Sequence, residues 1–233
     1  MPLFSEDAEN VLVYLTNGVS KDGDVEVRKK RLGEAVVNLT RALTDFRLRI
    51  VHVGDVLDIR EGVLHENLSK VVKSKILDRE FKKALYGSLI ITSTFEGAHQ
   101  DHDAACVIAR TYAEKYNLKS LEASTYPQLF KKVYSFSVMR PEDRDFEIKF
   151  QRLQIAKIAT RLMWGYKSQR RTWVGLGLHT LFIYCFSKFY TAKKAEVRKV
   201  AKCFYEFRGR AKQDEVFSFI SEFRSLESPS HGN

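Results

Sequence analysis

The alternation of apolar and polar positions divides the chain into short units. Residues 10–16, Asn-Val-Leu-Val-Tyr-Leu-Thr, form a β-prone run that stops at Asn17-Gly18, a strong turn signal. With so few polar residues the run predicts a strand covered on both faces, as parallel sheets require. A polar loop, Ser20 to Asp24, follows it. From Glu26 to Thr44 the spacing turns helical, with Leu32, Ala35, Val36, Leu39, Ala42 and Leu43 as the apolar stripe. Arg47 to Val53 predicts the next strand, ending at Gly54. The loop Asp55 to Gly62 leads into a second helix that begins near Leu64 and runs past Phe81.

Tyr86 to Thr94 predicts the third strand, Asp103 to Tyr116 the third helix and Leu118 to Ser124 a fourth strand, stopped by Tyr126-Pro127. Strand alternating with helix at these intervals argues for a parallel sheet of right-handed βαβ units. Val133 to Val138 reads as a further strand and Arg140-Pro141-Glu142-Asp143 as a turn or linker. From Phe146 the pattern is helical, and Ile155, Ile158, Ala159, Leu162 and Met163 keep the stripe of a core-facing helix. Residues 192–226 read as one or two amphipathic helices, and residues 227–233 as a disordered tail.

Composition narrows the class. At 233 residues, with 44% hydrophobic and 29% charged residues, the chain has the make-up of an ordinary globular protein. Cys106, Cys185 and Cys203 form no CxxC pair and no disulfide framework, which fits a reducing compartment. No secretory signal pattern opens the chain. The longest apolar stretch, Val174 to Phe186, falls short of the roughly 20 residues that span a bilayer. These features point to a cytoplasmic protein, at most peripheral to a membrane. The net charge of +10 is uneven: residues 141–233 hold 18 Lys/Arg against 10 Asp/Glu, or +8, leaving +2 for the first 140. A basic carboxyl-terminal part suits an anionic membrane surface, with nucleic acid the weaker reading.

The chemistry gathers in residues 95–103. After the apolar run, the chain breaks at Phe95-Glu96-Gly97 and continues as His99-Gln100-Asp101-His102 into the alanine-rich helix. The carboxyl end of a strand leading into a helix is where open α/β sheets place their chemistry. His99 and His102 are three apart, hence on one side of a first helical turn. Neutral imidazoles suit zinc, and a carboxylate between them can fix tautomer and orientation. Cys106 follows closely, but Ala-Ala-Cys-Val-Ile-Ala reads as core packing. His52 and His65 read as solvated or hydrogen-bonded histidines. No GxGxxG, Walker A, HExxH or GxSxG motif occurs.

Several blocks then fall into one order. They are Val13–Gly18, Arg31-Leu-Gly-Glu34, His52-Val-Gly54, His65-Glu-Asn-Leu68, Gly97-Ala-His-Gln-Asp-His102, Leu121-Glu122 with Tyr126, and Tyr166-Lys-Ser-Gln169. The succession resembles the LmbE/PIG-L family of zinc-dependent N-deacetylases over roughly residues 10–175. The resemblance implies a Rossmann-like, mostly parallel sheet flanked by helices, and hydrolysis of the acetamide of an amino sugar or glycolipid. It implies His102 as a zinc ligand, His99 as the group that polarises or protonates the tetrahedral intermediate, and Asp101 as the partner of a neighbouring imidazole. It places Arg31 as a substrate contact.

The pattern also departs from the family. The His-Pro-Asp-Asp-Glu-type block, which supplies two zinc ligands and the general base, is absent, and so are the first strand and helix that carry it. The expected organisation is an α/β domain over residues 1–175, truncated at its amino-terminal side, and a helical extension over 176–226. A start at an internal methionine, a relative that no longer catalyses, or ligands recruited from a partner would each account for the departure. Without catalysis, the remaining pocket would serve to bind a sugar or a partner.

Overall fold

A computed structural model describes residues 8–19, 24–43, 47–83, 88–93, 95, 99–123, 128–130, 133–134, 146–149, 160–161, 164–169, 174, 189–194 and 210–227. It is a mixed α/β structure with short parallel strands. The chain forms two compact units, residues 1–61 with 147–190 and residues 62–146 with 191–233.

The first unit is built on β1 (Glu9–Tyr14), α1 (Val25–Ala42) and β2 (Arg47–His52). The two strands are parallel neighbours, in register from Glu9 opposite Arg47 to Tyr14 opposite His52. Asp24 starts α1 by accepting the Glu26 N–H at 3.1 Å, which satisfies one of the orphan donors of the first turn. Ala35, Leu39 and Leu43 then repeat every fourth residue and form a core with Tyr166, against which Leu12, Tyr14, Leu48 and Ile50 pack. The expected stripe was too wide. Val36, one step of about 100° round the helix from Ala35, is 41% exposed, and Val37 is exposed beside it.

β2 gives way at once to the short helix α2 (Val53–Val56), one residue sooner than expected. Gly54 allows this turn to lie against the end of β1. A Cβ at Gly54 would stand 2.3 Å from the backbone of Thr16. The loop after β1 is tied down by backbone bonds from Asn17 N–H to the Ile59 carbonyl and from Glu61 N–H to the Val19 carbonyl, both 2.8 Å.

In the second unit the run from Leu64 past Phe81 is not one helix. A 3₁₀ turn (His65–Asn67) precedes α3 (Leu68–Val72), and α4 (Lys75–Lys82) follows after an interruption at Lys73-Ser74. Ser74 is extended, with φ −69° and ψ 121°. Then come β3 (Leu89–Ser93), α5 (Gln100–Lys115) and β4 (Lys119–Ala123). β3 and β4 pair in parallel, from Leu89 opposite Lys119 to Ser93 opposite Ala123.

β5 (Gln128–Phe130) and β6 (Val133–Tyr134) form an antiparallel pair, and β7 covers Phe146–Lys149. A strand at β7 corrects the helical reading from Phe146. The stripe from Ile155 to Met163 lies mostly outside the described residues. The carboxyl-terminal part is not wholly helical either. β8 (Phe189–Lys194) adds antiparallel to β4, with Leu121, Glu122 and Ala123 opposite Lys194, Lys193 and Ala192. An open strand edge offers backbone partners that outweigh a local helical pattern. Only α6 (Arg210–Glu227) is helical there among the described residues.

α6 packs on α5, with Ile220 fully buried and Phe217 against Phe95 at 5.7 Å between ring centroids. α3 supports α5 as well: the Tyr112 hydroxyl donates to the Val72 carbonyl at 2.9 Å. No helix among the described residues is long and apolar enough to cross a membrane.

Candidate functional site

The entrance to α5 is set by a side-chain cap. His99 is extended (φ −141°, ψ 123°), and its Nδ1 accepts the Asp101 N–H at 3.2 Å. A ring nitrogen that accepts a hydrogen bond carries no proton, so the neutral ring keeps its proton on Nε2. His102 lies one turn on, with ring centroids 4.9 Å apart and the planes tilted by 41°. Burial, then repulsion from His99, pushes His102 down to about 3, so it is a neutral imidazole at physiological pH. The Ser93 hydroxyl donates to the His102 carbonyl at 2.8 Å, joining the end of β3 to the first turn of α5.

Asp101 is 7% exposed and faces a loop. Its Oδ2 accepts the Gly62 N–H at 2.6 Å and its Oδ1 the Leu64 N–H at 3.0 Å. The Gln100 amide adds a longer bond, 3.4 Å, to the Gly62 carbonyl. Gly62 has φ +89°, a conformation costly for other residues. The first turn of α5 therefore holds the backbone of residues 62–64, and the observed partners of the Asp101 carboxylate are amides, where an imidazole was expected.

The sequence reading missed a buried ion pair deeper along α5. Glu122 of β4 is fully buried and accepts from Arg110 Nε at 2.6 Å and from the Cys106 thiol at 3.4 Å. Burial and the neighbouring carboxylate push the Cys106 thiol well up. A buried thiol kept protonated is a poor nucleophile, which agrees with core packing. An arginine inside the run Ala104–Ala113 was the available signal, since a buried guanidinium requires a partner.

Arg31 belongs to the first unit. Its guanidinium donates to the Gly18 carbonyl and pairs with Glu61 at 3.4 Å. Glu34, one turn along α1, accepts the Ser168 N–H at 3.1 Å and also the Ser168 hydroxyl. Tyr14 bonds Tyr166 and stacks on His52, at 5.2 Å with the rings nearly parallel. Burial lowers the pKa of His52. His65, in the second unit, is 5% exposed, with Nε2 3.8 Å from Glu66. The resembling blocks thus cluster in two sets. Those at 13–18, 31–34, 52–54 and 166–169 meet in the first unit, and in the second the 99–102 block holds the backbone of Gly62 and Leu64 through Gln100 and Asp101.

Zinc takes three protein ligands in a catalytic site. His102, neutral, fits a ligand role, but the Nδ1 of His99 caps the helix and both oxygens of Asp101 hold the loop. Among the described residues no group of three His, Cys, Asp or Glu side chains is placed to hold a metal ion. These residues do not make up the donor set. The chain matches no family model, no curated protein and no solved structure.

Proposed function

We propose that the protein is a relative of the LmbE/PIG-L N-deacetylases with a Rossmann-like α/β fold, and that it recognises the acetamide of an amino sugar or glycolipid at the entrance to α5. The observation that supports this reading is the cap. With Nδ1 of His99 accepting from Asp101, the ring's remaining N–H is a donor on Nε2. Such a donor suits an acetamide oxygen, and in a hydrolytic reaction it would suit the oxyanion that replaces it. The resemblance also marks Arg31 of the first unit as a substrate contact; its observed partners there are the Gly18 carbonyl and Glu61. Zinc is the cofactor the resemblance implies, with His102 as its one assigned ligand. The described residues leave its donor set incomplete.

Titration calorimetry with N-acetylglucosamine and with glucosamine, each with zinc and with chelator, tests the reading. Binding of the acetylated sugar alone, lost in His99→Ala, supports it. Release of free amine after zinc loading would make the protein a hydrolase, whereas binding indifferent to chelation without amine release would make it a binding relative. If neither sugar binds under any condition, the reading fails.

A further inference from the structure

Positive charge is concentrated on one face of the second unit. Residues 70–83 carry six bases, Lys70, Lys73, Lys75, Arg79, Lys82 and Lys83, against two acids, Asp78 and Glu80. That local +4 compares with +2 for the first 140 residues together. The two acids lie beneath the bases. The Asp78 side chain is 23% exposed and that of Glu80 7%, against 65% for Lys82 and 68% for Arg79. Lys82 and Lys115 close on Asp78 at 3.0 and 2.6 Å, and Lys83 closes on Glu80 at 3.2 Å. Lys70, Lys73 and Lys75 are exposed as well. An open groove of about 680 Å³ between α3–α4 and α5 is lined by Lys73, Lys75 and Lys115 together with the carboxylates of Asp78 and Glu114, Val72 and Thr111.

We propose that this α3–α4 face, with Lys115 of α5, is a docking surface for an anionic lipid bilayer. Each exposed lysine near a bilayer of negative surface potential adds attraction, and several together make a stable contact. Nucleic acid fits the face less well. Single-strand binding stacks bases on exposed rings, but the aromatic residues here face inward: Tyr112 is fully buried and stacks on Phe81 at 4.5 Å. All of the bases except Arg79 are lysines, which act as point charges and lack the planar fork used for bidentate base recognition. The surface draws on no residue of the basic stretch 141–233 and does not depend on the sugar reading.

The test is co-sedimentation of the full chain with phosphatidylcholine vesicles, with or without about one-third phosphatidylserine, at low and high salt. Binding should need phosphatidylserine and weaken steeply with salt. The double variant Lys73→Glu/Lys75→Glu should lose about tenfold or more in affinity, with its circular dichroism and melting temperature unchanged. A milder Lys73→Gln/Lys75→Gln pair, with a smaller loss, covers the case in which the reversal disturbs folding. Equal binding to neutral vesicles, or undiminished binding by both variants, would overturn the proposal. So would tighter binding to a short DNA duplex than to the anionic vesicles.

Discussion

Two βαβ units of this protein share a topology and differ in what their helices bury. In β1-α1-β2, among the described side chains, the helix buries Ala35, Asn38 and Leu39, with Leu43 at its cap, and leaves Val36 and Val37 exposed. In β3-α5-β4 the helix buries eleven of its sixteen residues, among them Asp101, Asp103 and Arg110. The difference lies in the covering, because α5 is packed by β3, β4, α3 and α6. A helix enclosed on several sides can take charge inside only with partners, and β4 provides one in Glu122. The apolar face of a helix is thus set by its neighbours as much as by its own sequence.

The contrast can be broken most severely at that pair. Glu122→Ala would leave the Arg110 guanidinium buried without its carboxylate, a loss of about 4 kcal/mol, read by denaturant unfolding. In the first unit the corresponding weak point is backbone. Gly54→Ala would press a methyl group on the Thr16 main chain, which cannot swing aside as a side chain can, and should cost about 3 kcal/mol. Asp101→Ala removes the acceptor of two loop amides and should cost about 2 kcal/mol. Hydrogen exchange should then quicken at Gly62 and Leu64 and stay unchanged in β1 and β2.

Acid provides a subtler probe of the second unit. His102 is held down to about 3 in the fold, against about 6.5 in the unfolded chain. Between those values the unfolded state binds the extra proton, so this contribution is intact above roughly pH 6.5 and declines toward pH 3. The melting temperature of the native chain should fall more steeply over that window than that of His102→Gln. The smallest effect has the opposite sign. Gly33 lies inside α1 with open space where a Cβ would go, so Gly33→Ala should stabilise by about 0.5–1 kcal/mol.

Where sequence alone sufficed, the signal was local. The β-branched run at 89–93 and the fourfold spacing of Ala35, Leu39 and Leu43 predict their elements because each element's own residues carry the pattern. Adjacency of His99 and His102 is equally local, since a helical turn imposes it. What stayed hidden depends on distant chain. The backbone that Asp101 holds lies 37 to 39 residues upstream, and the carboxylate that meets Arg31 lies 30 residues downstream. Residues 192–194 open the stretch that reads as amphipathic helix, yet they pair as a strand with the edge of β4, some seventy residues earlier. The interruption at Lys73-Ser74 had one sequence cue, a serine within a helical run, of the kind that favours helix starts.

The packing of α6 on α5 also sets an order in time. On the ribosome β3, α5 and β4 emerge together, but residues 210–227 follow roughly ninety residues after β4 and therefore at least several seconds later. Until then the nascent chain holds a completed helix whose future cover, Phe217 and Ile220 included, has not been made. That interval is the vulnerable stage of biogenesis, when a chaperone has apolar surface to hold. A ribosome stalled before codon 210 should leave a chain readily cut by protease around α5, whereas release after residue 227 should leave it resistant.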